Sequence, residues 1–480
     1  MAIKRYFANA DTTITNAFKA NLTTRGVSGN MGQSDILEVF SIFGQGSLSS
    51  SELSRTLVKF PINEILNDRN NSLIPSSGSV SWYLNLFNAK HSNTVPRDFT
   101  LTVSAVSRSW QEGYGLDMEE YSDTGYANWN SASSSSAGGV INWTVAGGDY
   151  HTTPQPVSQT FSTGLEDLTV NVTSIVESWL TGSVQNYGFG VALTSSQEQE
   201  SQSYYTKRFF SRGTQFFFKR PILEARWNSI NKDNRGYFYA SSSLASAQDN
   251  LNTIYLYNVV RGRLANIPSI GTGSIYVKVY DDPSGSSTIA TTPNNPVTGG
   301  WVSTGIYSAS FALNTTATEV FDRWFNSTFT TCFHTGSIDV YDLDSQDYSP
   351  TNRYVVSCTN LKPIYYSEEQ SRFRFFVRKK DWQPTIYTVA TNFIPSEIIE
   401  SASYKVVRVA DNLEVIPYGT GSLMHTGLSY DVSGSYFDLD MNLLEPDYSY
   451  QLKLTFYDGV TNSWKEQSET FKFRVEKNEP

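Results

Sequence analysis

The sequence predicts an all-β chain built from several β-sandwiches, and three observations support this fold class. Serine, threonine, asparagine and glycine are abundant, aromatic residues make up 14% of the chain, and charged residues only 17%. These residue types suit strands and turns better than helix interiors. Short stretches that alternate apolar and polar residues recur between glycine- and proline-rich turns. At 480 residues, with 39% hydrophobic residues, the chain is long enough for several cores.

The pattern divides the chain into three predicted domains. Residues 1–228 are expected to form a jelly-roll-like β-sandwich with a short capping helix, followed by a polar linker at 228–235. Residues 236–385 are expected to form an Ig-like β-sandwich whose strands are separated by long Gly/Thr/Asn/Pro loops. Residues 393–480 have the length and strand pattern of a third sandwich, of Ig or fibronectin-III size.

The first domain is organised around a strand–helix–strand unit. Residues 168–172 alternate apolar and polar side chains, which is the period of a half-buried strand. Residues 175–180 then carry apolar side chains at helical spacing. Ser174 and Glu177 fit a capping box, and Gly182 fits a helix stop. We therefore expect one or two helical turns that cap a sheet.

A long insertion interrupts the strands of the first domain between residues 107 and 143. It is loop-like, aromatic and acidic, and insertions of this length in a compact domain are often functional. Its carboxylates are oxygen ligands of the kind that calcium prefers, although their spacing is not that of an EF-hand. The candidate calcium ligands are Asp117, Glu119, Glu120 and Asp123. We favour the other interpretation, a solvated acidic loop without a metal.

The order of motifs in the first half of the chain resembles the DNRLRE family of extracellular β-sandwich modules. The matching motifs are a strand ending in Leu57-Val58-Lys59-Phe60, the Ser-Arg-Ser-Trp110-Gln-Glu112-Gly unit, the Trp129-Asn130 pair, the TSIVESWLTG helix, the Asn186-Tyr187-Gly188-Phe189 turn and RPILEARW. The family is similar to carbohydrate-binding jelly rolls. The resemblance places Trp110, Trp129 and Trp179 at framework positions and implies that they pack in the core. The phenylalanine-rich stretch YYTKRFFSRGTQFFFKRP replaces a shorter family segment.

Three aromatic residues of the insertion are candidates for sugar binding. Aromatic faces can stack on the apolar faces of sugars. Because the other tryptophans fall at framework positions, the ligand candidates are Trp143, Tyr121 and Tyr126. From these residues we predict that the first domain contacts host surface glycans.

Residues 444–450 of the last domain carry a second resemblance. Leu444, Pro446 and Tyr450 resemble the Leu-x-Pro-x-x-x-Tyr signature of fibronectin-III sandwiches. In those sandwiches the tyrosine forms a tyrosine corner, so we assign Tyr450 that structural role.

A stretch at residues 371–382 interleaves arginines and lysines with apolar residues. We interpret it as a strand with one face in water. The alternative is a basic strip that docks on an acidic neighbour.

Charge and cysteine content narrow the function classes. A net charge of −10 argues against nucleic-acid or anionic-membrane binding as the main task. The N-terminal residues have no apolar signal-peptide region, and no run approaches the length of a transmembrane helix. The two cysteines, Cys332 and Cys358, are interpreted as isolated thiols, with a disulfide as the alternative.

No catalytic motif stands out, and we predict that the chain is not an enzyme. The four histidines are scattered, and none has a second histidine or a cysteine at metal-ligand spacing. Nucleophile-elbow, P-loop and HExxH motifs are absent from the sequence. A glycosidase stays open as a weaker alternative, since its two acids leave no local signature.

These observations favour a structural protein of a tailed-phage virion. The N-terminal half is similar to virion structural proteins of marine tailed phages. Such a protein is made in the host cytoplasm without a signal peptide and released in the particle. We expect a peripheral component of the tail, baseplate or neck, or a capsid decoration or fibre, present in multiple symmetric copies beside other virion proteins. The alternative function is a carbohydrate-binding adhesin that recognises the host.

Overall fold

The computed structural model describes residues 2–43, 51–91, 95–122, 125–135, 137–201, 204–342, 353–382, 396–459 and 461–478. The chain is all-β, with several sheets and a few short helices, as the sequence predicts. It divides into two compact units, Ala2–Asn228 and Ser229–Pro480. The first unit ends where the first predicted domain ends, and the second contains two sandwiches.

In its described residues, the first unit consists of short antiparallel strands with three α-helices and one 3₁₀ turn. Its strands are β1 Ile3–Phe7, β2 Ala10–Thr15, β3 Ile36–Phe43, β4 Ser51–Lys59, β5 Ser81–Leu86, β6 Phe99–Ala105, β7 Ser131–Ser134, β8 Val140–Asn142, β9 Val157–Phe161, β10 Leu168–Asn171, β11 Phe189–Leu193, β12 Tyr204–Phe210 and β13 Ile222–Arg226. Its helices are α1 Ile62–Asn70, α2 Thr173–Leu180 and α3 Ser195–Glu198, and the 3₁₀ turn is Phe217–Lys219.

Two antiparallel sheets of the first unit enclose its main core. A four-stranded sheet runs in the order β1–β13–β5–β10, and a seven-stranded sheet runs β12–β3–β4–β11–β6–β9, with β2 added to β4. Alternate residues of each strand point inward, as their period of two requires. Trp82 and Leu84 of one sheet and Val103 and Val191 of the other are fully buried in the same cluster. The unit is therefore a β-sandwich.

Helix α2 covers one end of this sandwich, but it begins differently from the prediction. The helix starts after Val172 without a side-chain cap, so the predicted capping box of Ser174 and Glu177 is wrong. The Glu177 carboxylate instead accepts hydrogen bonds from the Arg69 guanidinium at 2.6 and 2.9 Å and from the Trp82 indole N–H at 3.0 Å. Glu177 therefore bonds to residues that are distant in sequence and does not cap its own helix. The helix does stop at Gly182, whose φ is +75°.

The second unit begins with a barrel-like sandwich. A 3₁₀ turn at Asn234–Gly236 precedes its strands, which are β14 Phe238–Tyr239, β15 Asn252–Tyr257, β16 Val259–Val260, β17 Arg263–Leu264, β18 Ile275–Tyr280, β19 Thr291–Thr292, β20 Val297–Ser303, β21 Ile306–Leu313, β22 Glu319–Phe325 and β23 Cys332–Tyr341. One sheet in the order β14–β23–β22–β18–β20–β21–β15, with β19 on β21, curls around a single apolar core. Among the described strands of this sandwich, only those of the β16–β17 hairpin pair outside the sheet.

The last sandwich packs two sheets through an aromatic seam. Its strands are β24 Tyr354–Cys358, β25 Ile364–Tyr366, β26 Gln370–Lys379, β27 Ala402–Arg408, β28 Glu414–Ile416, β29 Ser429–Asp431, β30 Gly434–Asp440, β31 Ser449–Asp458 and β32 Ser463–Glu476, with a 3₁₀ turn at Met441–Leu443. The sheets run β24–β26–β30–β29 and β25–β32–β31–β27–β28. Tyr404 and Phe437, from opposite sheets, stack with centroids 3.7 Å apart. Buried Tyr450 donates its hydroxyl to the Glu445 carbonyl at 2.7 Å, which is a tyrosine corner.

The sheet pairing moves the predicted boundary between the last two domains. The sequence placed residues 354–379 in the second domain, which was predicted to end at 385. In the structure, β26 pairs with β30 and β25 pairs with β32, so these strands belong to the last sandwich. The boundary therefore lies before β24. A strand's partner is a long-range property, and local alternation does not reveal it.

The predicted linker is also packed rather than free. The Asp233 N–H donates to the Tyr430 carbonyl of the last sandwich at 3.1 Å. Two residues on, the Arg235 guanidinium forms a bidentate pair with the fully buried Asp322 of the barrel-like sandwich at 2.6 and 2.7 Å. Burial raises the pKa of Asp233 to about 6. The segment thus ties the two sandwiches of the second unit together.

Two further findings, on membrane-spanning helices and on the cysteines, apply to the described residues alone. There, no helix combines the length and the apolar character needed to span a membrane. Cys332 and Cys358 are both free thiols, as the favoured interpretation of the sequence has it.

Candidate functional surfaces of the first unit

The buried amide of Asn30 holds the predicted insertion in place. Its Nδ2 donates to the carbonyls of Glu112 at 2.8 Å and Ala127 at 3.0 Å. Its Oδ1 accepts from the Gly115 N–H at 2.8 Å and the Gly32 N–H at 3.3 Å. Both the donor and the acceptor of the Asn30 amide therefore form hydrogen bonds to the insertion. The insertion is a fixed wall on the sandwich, although much of it lacks regular structure.

The insertion carries its own small tryptophan core. Trp110, Trp129 and Trp143 pack together with Ile14 and Leu57. Trp143, a predicted sugar-stacking residue, is only 5% exposed, and its indole N–H donates to the Asn128 carbonyl at 2.8 Å. Its ring has no free face, so the prediction of Trp143 as a ligand platform is corrected to core packing. The β7–β8 hairpin that flanks it was not foreseen, because serine-rich strands lack an apolar alternation.

The framework tryptophans lie where the sequence resemblance places them. Trp110 and Trp129 are buried in the insertion core, and the Trp110 indole N–H donates to the Tyr187 carbonyl at 2.6 Å. Trp179 is buried in the main core against Phe189, with ring centroids 4.6 Å apart. These residues serve the fold, and none of them presents a ring to a ligand.

Tyrosines of the insertion do reach the surface. Tyr121 is 38% exposed, and Tyr126 is half-buried with its ring edge-on to Tyr114 at 5.6 Å between centroids. Tyr114 itself is 73% exposed, and the sequence pattern did not predict it as a ligand candidate. Its position between two glycines was the available signal, since glycine-flanked tyrosines in loops have little to pack against.

The acidic residues of the insertion mainly hold the loop together. The Asp117 carboxylate accepts the N–H groups of Glu119 and Glu120, each at 2.8 Å. The Glu119 carbonyl accepts from the Lys19 ammonium at 2.8 Å. Asp123 lies outside the described residues. Among those that are described, no three acidic, histidine or cysteine side chains converge on a possible metal position.

A pair of carboxylates beneath the insertion has the charge pattern of an acid–base site but is closed to solvent. Glu112 accepts from the Arg212 guanidinium at 2.6 and 2.7 Å, and the Arg212 N–H donates to Asp11 at 2.6 Å. Burial raises the pKa of Asp11 to about 7. Because Asp11 is only 2% exposed, a substrate has no access to it. The network serves the fold.

A polar cleft of about 490 Å³ opens beside the tryptophan core. Arg108 crosses it, donating from Nε to Asp149 at 2.6 Å and from Nη2 to the Thr144 hydroxyl at 2.8 Å. Although burial raises the pKa of Asp149, hydrogen bonds from the Thr144 and Val145 N–H groups and from Arg108 outweigh it and lower that pKa. Ser107, Ser109, Tyr150 and Tyr187 complete the walls. The cleft presents hydroxyls and one charge pair rather than apolar surface.

A second cavity, of about 350 Å³, is a mainly apolar groove between the sandwich and the insertion. Its apolar lining residues are Met31, Ile36, Phe40, Leu116 and Met118. Glu38 and Asp117 add carboxylates, and Arg208, which also lines the cavity, pairs with Glu38 at 2.5 Å. A Cβ on Gly29 would lie 2.7 Å from the Met118 Cα, so the glycine allows the wall to sit close. We call this cavity the insertion groove.

The phenylalanine-rich stretch forms an exposed aromatic surface. Phe7 lies edge-on to Phe217 at 5.4 Å, and Phe210 to Phe216 at 5.6 Å, between ring centroids. Phe216 is 52% exposed. The Lys219 ammonium lies 5.2 Å from the centroid of the Phe87 ring. We call these residues, together with Phe218, the phenylalanine patch. Large exposed apolar patches usually mark interaction sites.

Comparison with known proteins assigns the chain to no family. No protein-family profile matches it, and no curated protein sequence does. Among solved structures, the adhesin InvE of Yersinia pseudotuberculosis matches at 10% identity and a TM-score of 0.16, over 49% of this chain and 56% of that one. The match thus spans about half the length of InvE. A DUF4785 family protein of Legionella pneumophila matches at 8% identity and a TM-score of 0.14, over 98% and 91% of the two chains. TM-scores this low establish no shared fold.

Proposed function

We propose that the chain is a non-enzymatic structural protein of a tailed-phage virion that assembles through surfaces of its β-sandwiches. The observation that carries the assembly role is the phenylalanine patch. Aromatic residues are enriched at protein interfaces, and a cluster of them left in water is unfavourable. Covering a phenylalanine side chain fully is worth about 2 kcal/mol. A partner that covers several of them gains a substantial share of the binding free energy.

The virion assignment rests on the sequence. The order of motifs in the first half of the chain resembles modules of extracellular proteins, and that half is similar to virion structural proteins of marine tailed phages. A net charge of −10 agrees with partners other than nucleic acid.

Particle composition tests this proposal. Particles assembled with the wild-type chain should contain it at a fixed stoichiometry in quantitative mass spectrometry. The double variant Phe7→Ser/Phe216→Ser should be incorporated about tenfold less, because each lost contact weakens docking. The matched control is Leu244→Ser, since Leu244 is 97% exposed but isolated. Absence of the wild-type chain from particles, or normal incorporation of the double variant, would refute the proposal.

Carbohydrate binding is the second candidate function, and the polar cleft favours it. The described residues leave the Arg108 Nη1 without an acceptor, beside the hydroxyls of Ser107 and Ser109. Such a set of donors and acceptors suits a hydroxyl-rich ligand. On a glycan array, Arg108→Gln should lose the signal of the wild-type chain. The exposed Arg97→Gln, beyond the other end of β6, should keep it. An array without any wild-type signal would exclude this function.

A further inference from the structure

The β16–β17 hairpin of the second unit leaves all its residues in water. Asn258 and Ala265 close its base: the Ala265 N–H donates to the Asn258 carbonyl, and the Asn258 side-chain amide donates to the Ala265 carbonyl. At its tip, Arg261 and Gly262 have φ values of +50° and +80°, as a tight hairpin turn requires. Val259 and Val260 are 57% and 51% exposed, and Leu264 is exposed too. A two-stranded hairpin that buries nothing is only marginally stable. It therefore gains from a partner.

The hairpin is also basic on an acidic chain. Arg261 lies in its turn and Arg263 follows the turn, and the ion pairs among the described residues include neither of them. The chain as a whole carries −10. A surface that matches the hairpin must be apolar, to cover the valines and Leu264, and acidic at its rim, to neutralise the arginines.

The insertion groove of the first unit has both properties. Its apolar lining is open to solvent at Leu116, which is 51% exposed. Asp117 lines it, and the exposed Glu120 follows on the same loop. Asn30 and the glycines behind Met118 hold the wall in place, so the groove is formed before any partner arrives. Binding to a preformed groove avoids the cost of ordering it.

We propose that the hairpin of one copy of this chain inserts into the insertion groove of a second copy. This rests on the proposed role in assembly and names one of its contacts. Val259, Val260 and Leu264 meet the apolar lining, and the arginines pair with the carboxylates of Asp117 and Glu120. The two surfaces differ, so the contact is heterologous. Repeated, it generates a ring if the rotation closes and a filament if it does not.

Charge exchange in the full chain tests the contact. In sedimentation experiments, the wild type should self-associate with rising concentration, and less so at high salt, because exposed ion pairs are screened. Arg261→Glu/Arg263→Glu and Asp117→Lys/Glu120→Lys should each weaken self-association at least tenfold, about 1.4 kcal/mol. Mixing the two variants should restore it, since each then meets an opposite charge. The control Lys90→Glu/Arg97→Glu makes the same charge change at exposed sites elsewhere.

The outcomes separate this inference from the proposed function. A wild-type chain that stays monomeric, or a variant mixture that does not associate, overturns the docking. If that monomer still enters particles at fixed stoichiometry, the virion function stands alone. If the chain associates as described but is absent from particles, the docking stands and the virion function fails.

Discussion

Two stretches of the second unit combine arginines with apolar residues, yet the structure uses them in opposite ways. In β26, Arg372 forms a bidentate pair with Asp438 of the adjacent strand β30, and Arg374 forms one with Asp431 of β29, the strand beyond it. The phenylalanines between them are buried. In the β16–β17 hairpin, the valines and arginines all lie in water. The first stretch stabilises its own sandwich, whereas the second is available to a partner.

The difference shows what decides the fate of a basic, apolar strand. Alternation determines which side chains share a face. Whether the arginines are free depends on carboxylates that come from distant segments of the chain. For β26, the structure agrees with the interpretation of a strand with one face in water. The alternative basic strip is weakened, because its arginines already have partners.

The two stretches should differ most in stability when an apolar residue is removed from each. Phe373→Ala should cost about 3–5 kcal/mol, because it empties a site surrounded by Tyr365, Phe437 and Phe473. Val260→Ala should change the free energy of unfolding by less than about 0.5 kcal/mol. Denaturant titration measures both. Equal costs for the two substitutions would contradict the assignment.

Removing one arginine from each stretch should give a smaller contrast. In the wild type, the Arg374 guanidinium lies 2.6 Å from the largely buried Asp431 carboxylate. Arg374→Ala leaves this carboxylate unpaired and should lower the free energy of unfolding by about 1–3 kcal/mol. Arg263→Ala removes no ion pair among the described residues, so its cost should be within about 0.5 kcal/mol. If Arg374→Ala lowered the free energy of unfolding as little as Arg263→Ala, the ion pairs of β26 would contribute nothing to stability.

Acid should affect the two stretches differently as well. Burial raises the pKa of Asp438, but hydrogen bonds and charge from Arg372 outweigh it and hold that pKa below its usual value. A carboxylate with a lowered folded-state pKa stabilises the fold above its unfolded pKa, about 3.9, and this is lost as the pH falls through the folded value.

The melting temperature of the wild type should therefore converge with that of Asp438→Asn as the pH falls from 6 to below 3. The exposed Glu319→Gln serves as the control, and Arg261→Ala should follow the wild-type profile. A constant gap between the wild type and Asp438→Asn across this range would rule out the linkage.

The smallest effect is expected where most residues are changed. Replacing residues 259–264 by Asn-Gly shortens the hairpin to its turn. It should shift the free energy of unfolding by less than about 0.5 kcal/mol, because none of these side chains is buried. Calorimetry at a concentration where the chain is monomeric is the suitable measurement. A loss of several kcal/mol would mean that the hairpin packs within its own unit.

Local patterns predicted much of this fold. The alternation at Ile275–Tyr280 is a strand, and Tyr450 forms its corner. Helix α1 at Ile62–Asn70 was not predicted, because its apolar residues form only a weak stripe along the helix. The capping box failed because Glu177 had a better partner in Arg69, 108 residues away in sequence.

The candidate surfaces were harder to predict. Trp143 and Tyr121 lie in the same aromatic loop, and only tertiary packing buries one and exposes the other. The insertion groove depends on Asn30 bonding to Glu112, 82 residues away. No local motif encodes such an encounter. The phenylalanine patch was visible as an unusual stretch, but its exposure was not.

The packed segment at residues 231–235 bears on how such chains are reshuffled in evolution. Because it bonds to both sandwiches of the second unit, a crossover between them would leave Asp322 without Arg235 or Tyr430 without its backbone donor. The division between the two units lies at residue 228, before this segment. The first unit can therefore be inherited as a cassette, whereas the other two sandwiches are inherited as a pair.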